Sequence, residues 1–363
     1  MARIAILGAG VMGAALAYPL ADNGHDIHLI GTHLDDTIIT SCRESGVHPR
    51  HQRVLPPRVR PFYLSELQAA LQGADVIALG VNSRGVRWAG QTLAPHLERG
   101  QPVIMVTKGL AASEHGDLQI FPAVFAAELP ADLRASIPVA AIGGPSIAGE
   151  LAARRETCVV FTAQDTATLD KLAPLFATSY YHIWTSTDMI GVEVCVALKN
   201  IYALGIGFVA GMLEAAGGLD GNAAMHNYAA ALFAQGLVET AQMVQLLGGG
   251  IETVFSLPGA GDLYVTCQGG RNSRMGRLLG LGVKPDSANQ ELAGETVEGV
   301  DAVATIAPAV NTLISRGVLK PDAFPLMRQI YCVAVEGQSA ESIVERFFRP
   351  EFLNLQPVHA LGR

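Results

Sequence analysis

The feature that most constrains the fold lies within the first seventeen residues. Residues 2–7 form a short apolar run that is typical of a buried strand, and residues 14–17 favour a helix. Between them stand Gly8, Gly10 and Gly13 in G-x-G-x-x-G spacing. A strand, a glycine turn and a helix in this order are the context in which that spacing predicts a dinucleotide site.

Each glycine of this turn has an expected role. Gly8 permits the tight turn, Gly10 lets the backbone approach a pyrophosphate, and Gly13 lets helix and strand pack closely. The backbone at the start of the helix, over Val11 and Met12, would then bind the diphosphate. The alternative is an α/β fold whose glycine turn holds no cofactor.

Length and composition narrow the class of protein. A chain of 363 residues exceeds one typical domain, so two domains are expected. A net charge of −8 without a basic stretch argues against a nucleic-acid surface. The 5 cysteines lack C-x-x-C spacing, and the 10 histidines form no H-E-x-x-H motif and no close pair. We therefore expect no metal site and a reducing, cytoplasmic setting, and the N-terminus has no signal-peptide pattern.

One segment imitates a membrane span. Residues 194–213 contain a single charged side chain. Lys199 and Asn200 would lie near the bilayer centre, where such groups are costly, and no basic cluster flanks the segment. A helix buried on all sides in a large core explains the segment better, so no membrane span is predicted.

Strand and helix patterns alternate over the first half of the chain. Strands are predicted over 25–31, 74–81, 102–107, 139–142, 157–162 and 181–185, with helices that include 84–98 and 117–128. This alternation predicts a Rossmann-type, doubly wound α/β sheet that is mainly parallel, with helices on both faces. Lys108 and Ser146 follow two of the strands and are expected on the ligand side.

The pattern changes after Asp188, a predicted N-cap. Long helices are expected over 189–215, 222–246, 300–315 and 325–335. We therefore predict a dinucleotide-binding domain over residues 1–188, an all-helical substrate-binding domain over 189–350 and an irregular tail over 351–363.

Cofactor choice depends on the end of the second strand. An NAD site commonly has an acid there for the ribose 2′-hydroxyl, but this chain has Thr32 and His33, and its first acid, Asp35, comes later. The missing acid leaves room for a 2′-phosphate, which His33, Arg50 or Arg53 could bind. This favours NADP(H), whereas Thr32 and His33 as plain loop residues would let the site take either cofactor.

Two polar spots stand out in the helical half. Lys199 lies within the apolar helix, where burial lowers the pKa of a lysine and allows proton exchange near neutral pH. A buried ion pair without a catalytic role is the alternative. The second spot, residues 259–272, combines Asp262 and Thr266 with Arg271 and Asn272, and an arginine at a helix start suits a phosphate.

Together these pieces resemble the NAD(P)-dependent glycerol-3-phosphate dehydrogenase family. The matching segments, in the family's order to about residue 349, are 8–13, 107–109, 144–150, 197–200, 221–222, 261–263, 266–267, 271–272 and 298–299. The chain departs from the family pattern at Val11 and Met12, at Asn82 and at Gly270.

The resemblance implies an oxidoreductase that interconverts dihydroxyacetone phosphate and sn-glycerol 3-phosphate for glycerophospholipid synthesis, as a cytoplasmic homodimer. It makes Lys199 the general acid/base, Lys108 the group that polarises the substrate and Asp262 the partner that orients Lys199. With the arguments above, the expected substrate contacts are Lys108, Ser146, Lys199, Asn200, Asp262, Thr266, Arg271 and Asn272. The expected cofactor contacts are Gly8, Gly10, Val11, Met12, Gly13, Thr32, His33, Lys108, Ala148, Arg271 and Glu298.

Two other functions stay open at this point. One is a related dehydrogenase of another small phosphorylated or carboxylated 2-hydroxy compound. The other is a cofactor-sensing protein without turnover. The intact Lys108, Lys199, Asp262 and Arg271 argue against the second, because a decayed site would lose such costly charges.

Overall fold

The computed structural model describes residues 1–221, 223–292 and 297–343. It divides into two compact units. The first comprises Met1–Lys108 and Ile120–Glu193, and the second comprises Gly109–Gln119 and the described residues from Val194 onward. The predicted tail over 351–363 lies outside the described residues.

The first unit is built on a large sheet. The strands of the described chain are β1 (Arg3–Leu7), β2 (Asp26–Ile30), β3 (Val47–His48), β4 (Arg53–Val54), β5 (Val59–Phe62), β6 (Val76–Leu79), β7 (Val103–Met105), β8 (Leu110–Ala112), β9 (Leu118–Ile120), β10 (Val139–Gly143), β11 (Thr157–Ala163) and β12 (Tyr181–Ser186). Eight of them form one sheet in the order β12-β11-β10-β7-β6-β1-β2-β5. Every neighbouring pair is parallel except β10 and β11. The predicted Rossmann-type sheet is confirmed, and its order reverses between β1 and β6, where ligands bind in such folds.

Helices follow the strands and then dominate the chain. They are α1 (Val11–Asp22), α2 (Asp36–Ser45), α3 (Leu67–Leu71), α4 (Val86–Leu93), α5 (Phe121–Ala127), α6 (Ala131–Arg134), α7 (Ala148–Ala152), α8 (Thr166–Phe176), α9 (Met189–Ala215), α10 (His226–Leu247), α11 (Asp262–Cys267), α12 (Arg271–Gly280), α13 (Pro285–Glu291), α14 (Glu298–Ser315) and α15 (Pro325–Ala334). Asp188 accepts a hydrogen bond from the backbone N–H of Gly191 at 2.9 Å, as expected of an N-cap.

The apolar helix α9 behaves as a core element. It is long and apolar enough to cross a membrane by length and composition alone, but 89% of its most apolar window is buried inside the protein. A mostly buried helix of this kind is the expected core helix of a large domain.

Three short elements differ from the sequence prediction. The predicted helix over 117–128 begins only at Phe121, because residues 118–120 form β9 and pair with β8. Pro122 in the first turn then fixes the start of α5. Strand β5 was missed because it contains Pro61, but β5 is an edge strand, where a proline is tolerated. The hairpin of β3 and β4 was missed as well.

Candidate active site

The glycine turn lies where the strand order reverses. Gly8 follows β1 with a φ of +108°, and a Cβ on it would lie 2.7 Å from the carbonyl carbon of Gly80, after β6. A Cβ on Gly13 would lie 2.1 Å from the oxygen of Gly8. The three glycines therefore touch through their backbones, and this contact lets α1 begin directly against the sheet. Sequence reasoning missed Gly80, which no local motif marks.

Gly10 is glycine for a different reason. A Cβ there would have only the oxygen of Gly80 nearby, at 4.0 Å. Packing within the protein therefore does not require glycine at this position, whereas a close ligand would. No side chain caps α1, so the first N–H groups of the helix have no side-chain acceptor. Val11 and Met12, in this first turn, are half-buried. The backbone around Gly10 and at the start of α1 forms a cradle that fits the pyrophosphate of a dinucleotide.

The turn after β2 is held by the carboxylate of Asp35, which is hydrogen-bonded within the protein. Asp35 is buried, and its Oδ2 accepts hydrogen bonds from the backbone N–H of Thr32 at 2.9 Å and from the Thr32 hydroxyl at 2.8 Å. The N–H of Ala9 also donates to this oxygen, at 3.2 Å. His33 is exposed, with its ring centroid 5.3 Å from that of Trp88. Asp35 thus ties the β2 turn to the glycine turn.

Lys108 and Ser146 follow β7 and β10, which are neighbours in the sheet. The ammonium of Lys108 donates to the carbonyl oxygen of Gly144 at 3.4 Å. The hydroxyl of Ser146 is buried without a hydrogen-bond partner among the described residues. Ala148 begins α7, which packs against α1.

Glu193 adds a buried acid that sequence reasoning did not select. The residue is 0% exposed, and neither carboxyl oxygen has a hydrogen-bond partner in the described chain. Burial raises the pKa of Glu193 to about 8, against the opposing influence of the Lys108 charge. The carboxyl is therefore mostly protonated at pH 7. Its position one residue before an apolar run gives no sign of this in the sequence.

In the helical unit, Lys199 and Asp262 form a buried ion pair. The Nζ of Lys199 donates to the Oδ1 of Asp262, and the two side chains are 9% and 1% exposed. Asp262 begins α11 directly after a π-helical turn, Leu257–Gly261. Gly259 is required in that turn, since a Cβ would lie 2.0 Å from the oxygen of Val254. The ammonium of Lys199 is thereby oriented by a carboxylate fixed on a rigid element.

The two asparagines belong to one hydrogen-bonded network that joins three helices. Asn272 of α12 donates from Nδ2 to the Oδ1 of Asn200 on α9 at 2.9 Å. Asn200 in turn donates to the carboxylate of Glu298 at 3.1 Å, and the N–H of Gly299 donates to Asn272 at 2.8 Å. Both amides are buried, so their main contacts in this structure hold α9, α12 and the start of α14 together.

Arg271 has the opposite environment. It is exposed at the first position of α12, and no side chain caps that helix. Among the residues that the structure describes, none forms an ion pair or hydrogen bond with its guanidinium. A free guanidinium beside free helix N–H groups suits a phosphate. Thr266, on the preceding helix, is half-buried and donates its hydroxyl to the carbonyl of Asp262 at 2.6 Å.

A glycine contact between α9 and α12 sets the spacing of these groups. A Cβ on Gly276 of α12 would lie 2.1 Å from the oxygen of Leu204, and one on Gly280 2.1 Å from the oxygen of Phe208. A Cβ on Gly211 of α9 would in turn lie 2.0 Å from the oxygen of Arg277. The two helices therefore cross in backbone contact.

Comparison with known proteins decides the family. The model of the NAD-dependent glycerol-3-phosphate dehydrogenase N-terminus matches residues 3–169, and that of the C-terminus matches residues 188–345. The chain belongs to the NAD-dependent glycerol-3-phosphate dehydrogenase family. The resemblance read from the sequence is confirmed.

Individual relatives support the family assignment over nearly the full length. The NADP(+)-dependent glycerol-3-phosphate dehydrogenase of Archaeoglobus fulgidus is 35% identical over 94% of this chain and 97% of its own. The crystal structure of glycerol-3-phosphate dehydrogenase from Coxiella burnetii has a TM-score of 0.80 at 28% identity and covers 95% of this chain and 98% of its own. A yeast enzyme structure of the family has a TM-score of 0.77 and covers 96% of this chain and 99% of its own; at 21% identity it supports the fold alone.

The site residues that were predicted from the sequence fall into two groups, one in each compact unit. The glycine turn, Thr32, His33, Lys108, Ser146 and Ala148 belong to the first unit, and Lys199, Asn200, Asp262, Thr266, Arg271, Asn272 and Glu298 belong to the second. The second group is the more tightly interconnected, through the ion pair and the asparagine network.

Proposed function

We propose that this chain interconverts dihydroxyacetone phosphate and sn-glycerol 3-phosphate with a nicotinamide cofactor. The observation that carries the proposal is the buried pair of Lys199 and Asp262, in a chain of this family. The relatives from Archaeoglobus fulgidus and Shouchella clausii are named as glycerol-3-phosphate dehydrogenases.

The proposed chemistry at the substrate centres on Lys199. The bound nicotinamide supplies the hydride that is added to the carbonyl carbon. Lys199 donates a proton from its ammonium to the C2 oxygen as negative charge develops there, and it takes the proton back in the reverse direction. Asp262 holds the ammonium in one orientation and stabilises its charge. Lys108 contributes a second cation that stabilises the developing oxyanion.

The proposed phosphate site is the start of α12. Arg271 pairs with the phosphate, and the N–H groups of the first helical turn add donors. Asn272 and Asn200 fix the position of that turn on α9, with Thr266 beside it. Binding energy at the phosphate holds the ketone in place for attack at C2.

For the cofactor we propose that NADP(H) is preferred and NAD(H) is accepted. Asp35, the acid nearest the end of β2, is already hydrogen-bonded to Thr32 and Ala9. Its carboxylate therefore does not occupy the place beside the exposed His33 side chain, where a 2′-phosphate would bind. Arg50, also exposed, adds positive charge on the same unit. The relative from A. fulgidus is named for NADP(+).

We further propose a cytosolic homodimer. The cysteines of the described chain are free thiols, as a reducing compartment favours. The homodimer follows from the family resemblance, and sedimentation at micromolar concentration would measure it.

The decisive experiment follows nicotinamide absorbance after purified protein is mixed with dihydroxyacetone phosphate and either NADPH or NADH. We expect oxidation with both and a higher kcat/KM with NADPH. Lys199→Ala should lower kcat by about 10²-fold or more, as removal of a general acid does. Lys171→Ala, at an exposed lysine of α8, is the matched control and should leave kcat unchanged.

Each other outcome has a definite meaning. Oxidation with a different phosphorylated ketone but not with this one would move the substrate assignment to a related 2-hydroxy compound. No oxidation with either cofactor would overturn the proposal. A Lys199→Ala variant with normal kcat would remove Lys199 from the chemistry.

A further inference from the structure

The hairpin of β3 and β4 is bonded to the glycine turn by two histidines. The Nε2 of His48 lies 2.9 Å from the carbonyl oxygen of Ala9, and the Nε2 of His51 lies 2.7 Å from that of Val11. The two imidazole rings are 4.7 Å apart. His48 and His51, three residues apart in the chain, thus form a close pair, contrary to the expectation from the sequence, and both bond backbone carbonyls of the turn.

The donor in both bonds is fixed by chemistry. A carbonyl oxygen only accepts, so Nε2–H of each imidazole donates. The Nδ1 of His48 accepts from the backbone N–H of His51 at 3.2 Å, so this ring carries its proton on Nε2 alone. His48 is 0% exposed, and burial lowers the pKa of both histidines. Both rings are therefore neutral donors at pH 7.

The two accepting carbonyls, of Ala9 and Val11, lie on either side of Gly10, so the two hydrogen bonds affect the orientation of the peptide groups next to Gly10. In a trans peptide the C=O and the following N–H point in opposite directions, and the described chain has no cis peptide bond. A carbonyl of Ala9 held toward the hairpin turns the N–H of Gly10 away from it. A carbonyl of Val11 held toward the hairpin does the same for the N–H of Met12. These two N–H groups therefore point away from the hairpin.

We propose that His48 and His51 are positioning residues for the cofactor, which orient the peptide planes of the glycine turn so that the N–H groups of Gly10 and Met12 bind the pyrophosphate. This inference rests on the proposed dinucleotide binding. The histidines do not touch the cofactor; they act through the backbone of the turn. Preorganised N–H groups bind an anion without a reorganisation cost at the moment of binding.

The hairpin does not depend on the histidines for its own attachment. The hydroxyl of Tyr18 donates to the carbonyl of Val54, and that of Ser41 donates to the carbonyl of Val47, at 3.3 Å and 3.1 Å. The N–H of Leu55 donates to the carbonyl of Gly46 at 2.8 Å. Removal of one imidazole should therefore leave the hairpin in place and remove only the hydrogen bond that this imidazole makes to the turn.

The test measures the Kd of NADPH and of ADP-ribose, which has the pyrophosphate but no nicotinamide, by calorimetry without substrate. His51→Leu should raise both Kd values about tenfold, the value of one well-placed hydrogen bond. The KM for dihydroxyacetone phosphate at saturating cofactor should stay within twofold. His51→Gln keeps an N–H donor and should restore most of the affinity. His182→Leu, at an exposed histidine of the same unit, is the control and should change nothing.

His48→Gln and His48→Leu repeat the comparison at the buried position, with a thermal melt to confirm folding. Should His48→Leu not fold, the half-buried His51 variants still decide the matter. Equal Kd values for wild type, His51→Leu and His51→Gln would overturn the inference and leave the proposed function intact. If the wild type binds neither NADPH nor NADH, both the inference and the proposed function fail.

Discussion

Gly276→Ala tests whether the contact between α9 and α12 builds the substrate side of the site. The added Cβ would lie 2.1 Å from the oxygen of Leu204 and 2.9 Å from the Cα of Gly207, whereas ordinary contact begins at 3.4 Å. Both neighbours are backbone atoms of α9, so no side chain can rotate away. The helices would have to separate locally by about 1 Å.

The cost of that separation can be worked out roughly. Overpacking in a rigid core costs about 1–3 kcal/mol, and the upper end applies here because the backbone must move. A loss of about 3 kcal/mol lowers Tm by roughly 6–12 °C in a unit of this size. The same shift would stretch the 2.9 Å bond from Asn272 to Asn200, since Asn272 lies one turn before Gly276. The KM for dihydroxyacetone phosphate should therefore rise as well.

Gly149→Ala is the matched control, because it places the same methyl group in a helix where nothing lies within 4 Å. It should leave Tm unchanged or raise it slightly, as alanine is the better helix former. Differential scanning fluorimetry and steady-state kinetics on both variants give the comparison. A Gly276→Ala variant with wild-type Tm and KM would refute the reasoning that backbone contact sets the geometry of the site.

Two further predictions concern buried acids. The pKa of Glu193 is raised from 4.5 to about 8, so between these pH values the folded chain binds one more proton than the unfolded chain. This group therefore lowers the free energy of unfolding by about 1.4 kcal/mol for each pH unit as the pH rises from 4.5 to 8. Glu193→Gln should lack this slope in urea unfolding at pH 5.5 and 7.5, and parallel pH dependences would contradict the assignment. Glu239 is 0% exposed and accepts from the N–H groups of Leu326 and Met327 and from the Tyr202 hydroxyl, at 2.7, 3.0 and 3.0 Å. Glu239→Ala leaves these donors buried without an acceptor and should destabilise the helical unit by about 3 kcal/mol or more, with Glu239→Gln intermediate; a smaller loss for alanine than for glutamine would contradict the role of these bonds.

Much of the fold was predictable because its signals are local. The alternation of apolar runs with helical patterns predicts the parallel sheet, and the 27-residue helix α9 follows the predicted bounds. What failed were short elements that depend on neighbours. Strand β5, with its internal Pro61, and the hairpins at β3–β4 and β8–β9 have too few residues for a periodic pattern, and only pairing partners make them strands.

The candidate site also has features that the sequence predicts and features that depend on the tertiary structure. Lys199, Asp262 and Arg271 stand out in the sequence because charge in an apolar helix or at a glycine-rich helix start is unusual. Residue spacing does not indicate that Lys199 and Asp262 pair, since 63 residues separate them, and only the family resemblance implied the pair. The hydrogen bonds of Asn200 and Asn272 were not predictable from the sequence either, because they form only where three helices pack together.

The sequence by itself determined the glycine turn, the order of the longer strands and helices, and the types of charged group available for chemistry, because these follow from residue spacing along one element. The tertiary structure alone decided that Gly80 completes the glycine contact, that Asp35 is bonded to the turn, and that His48 and His51 hold its carbonyls. The physical reason is that such contacts join elements through single atoms at distances of about 3 Å, and no periodicity in the chain encodes which distant atoms will meet.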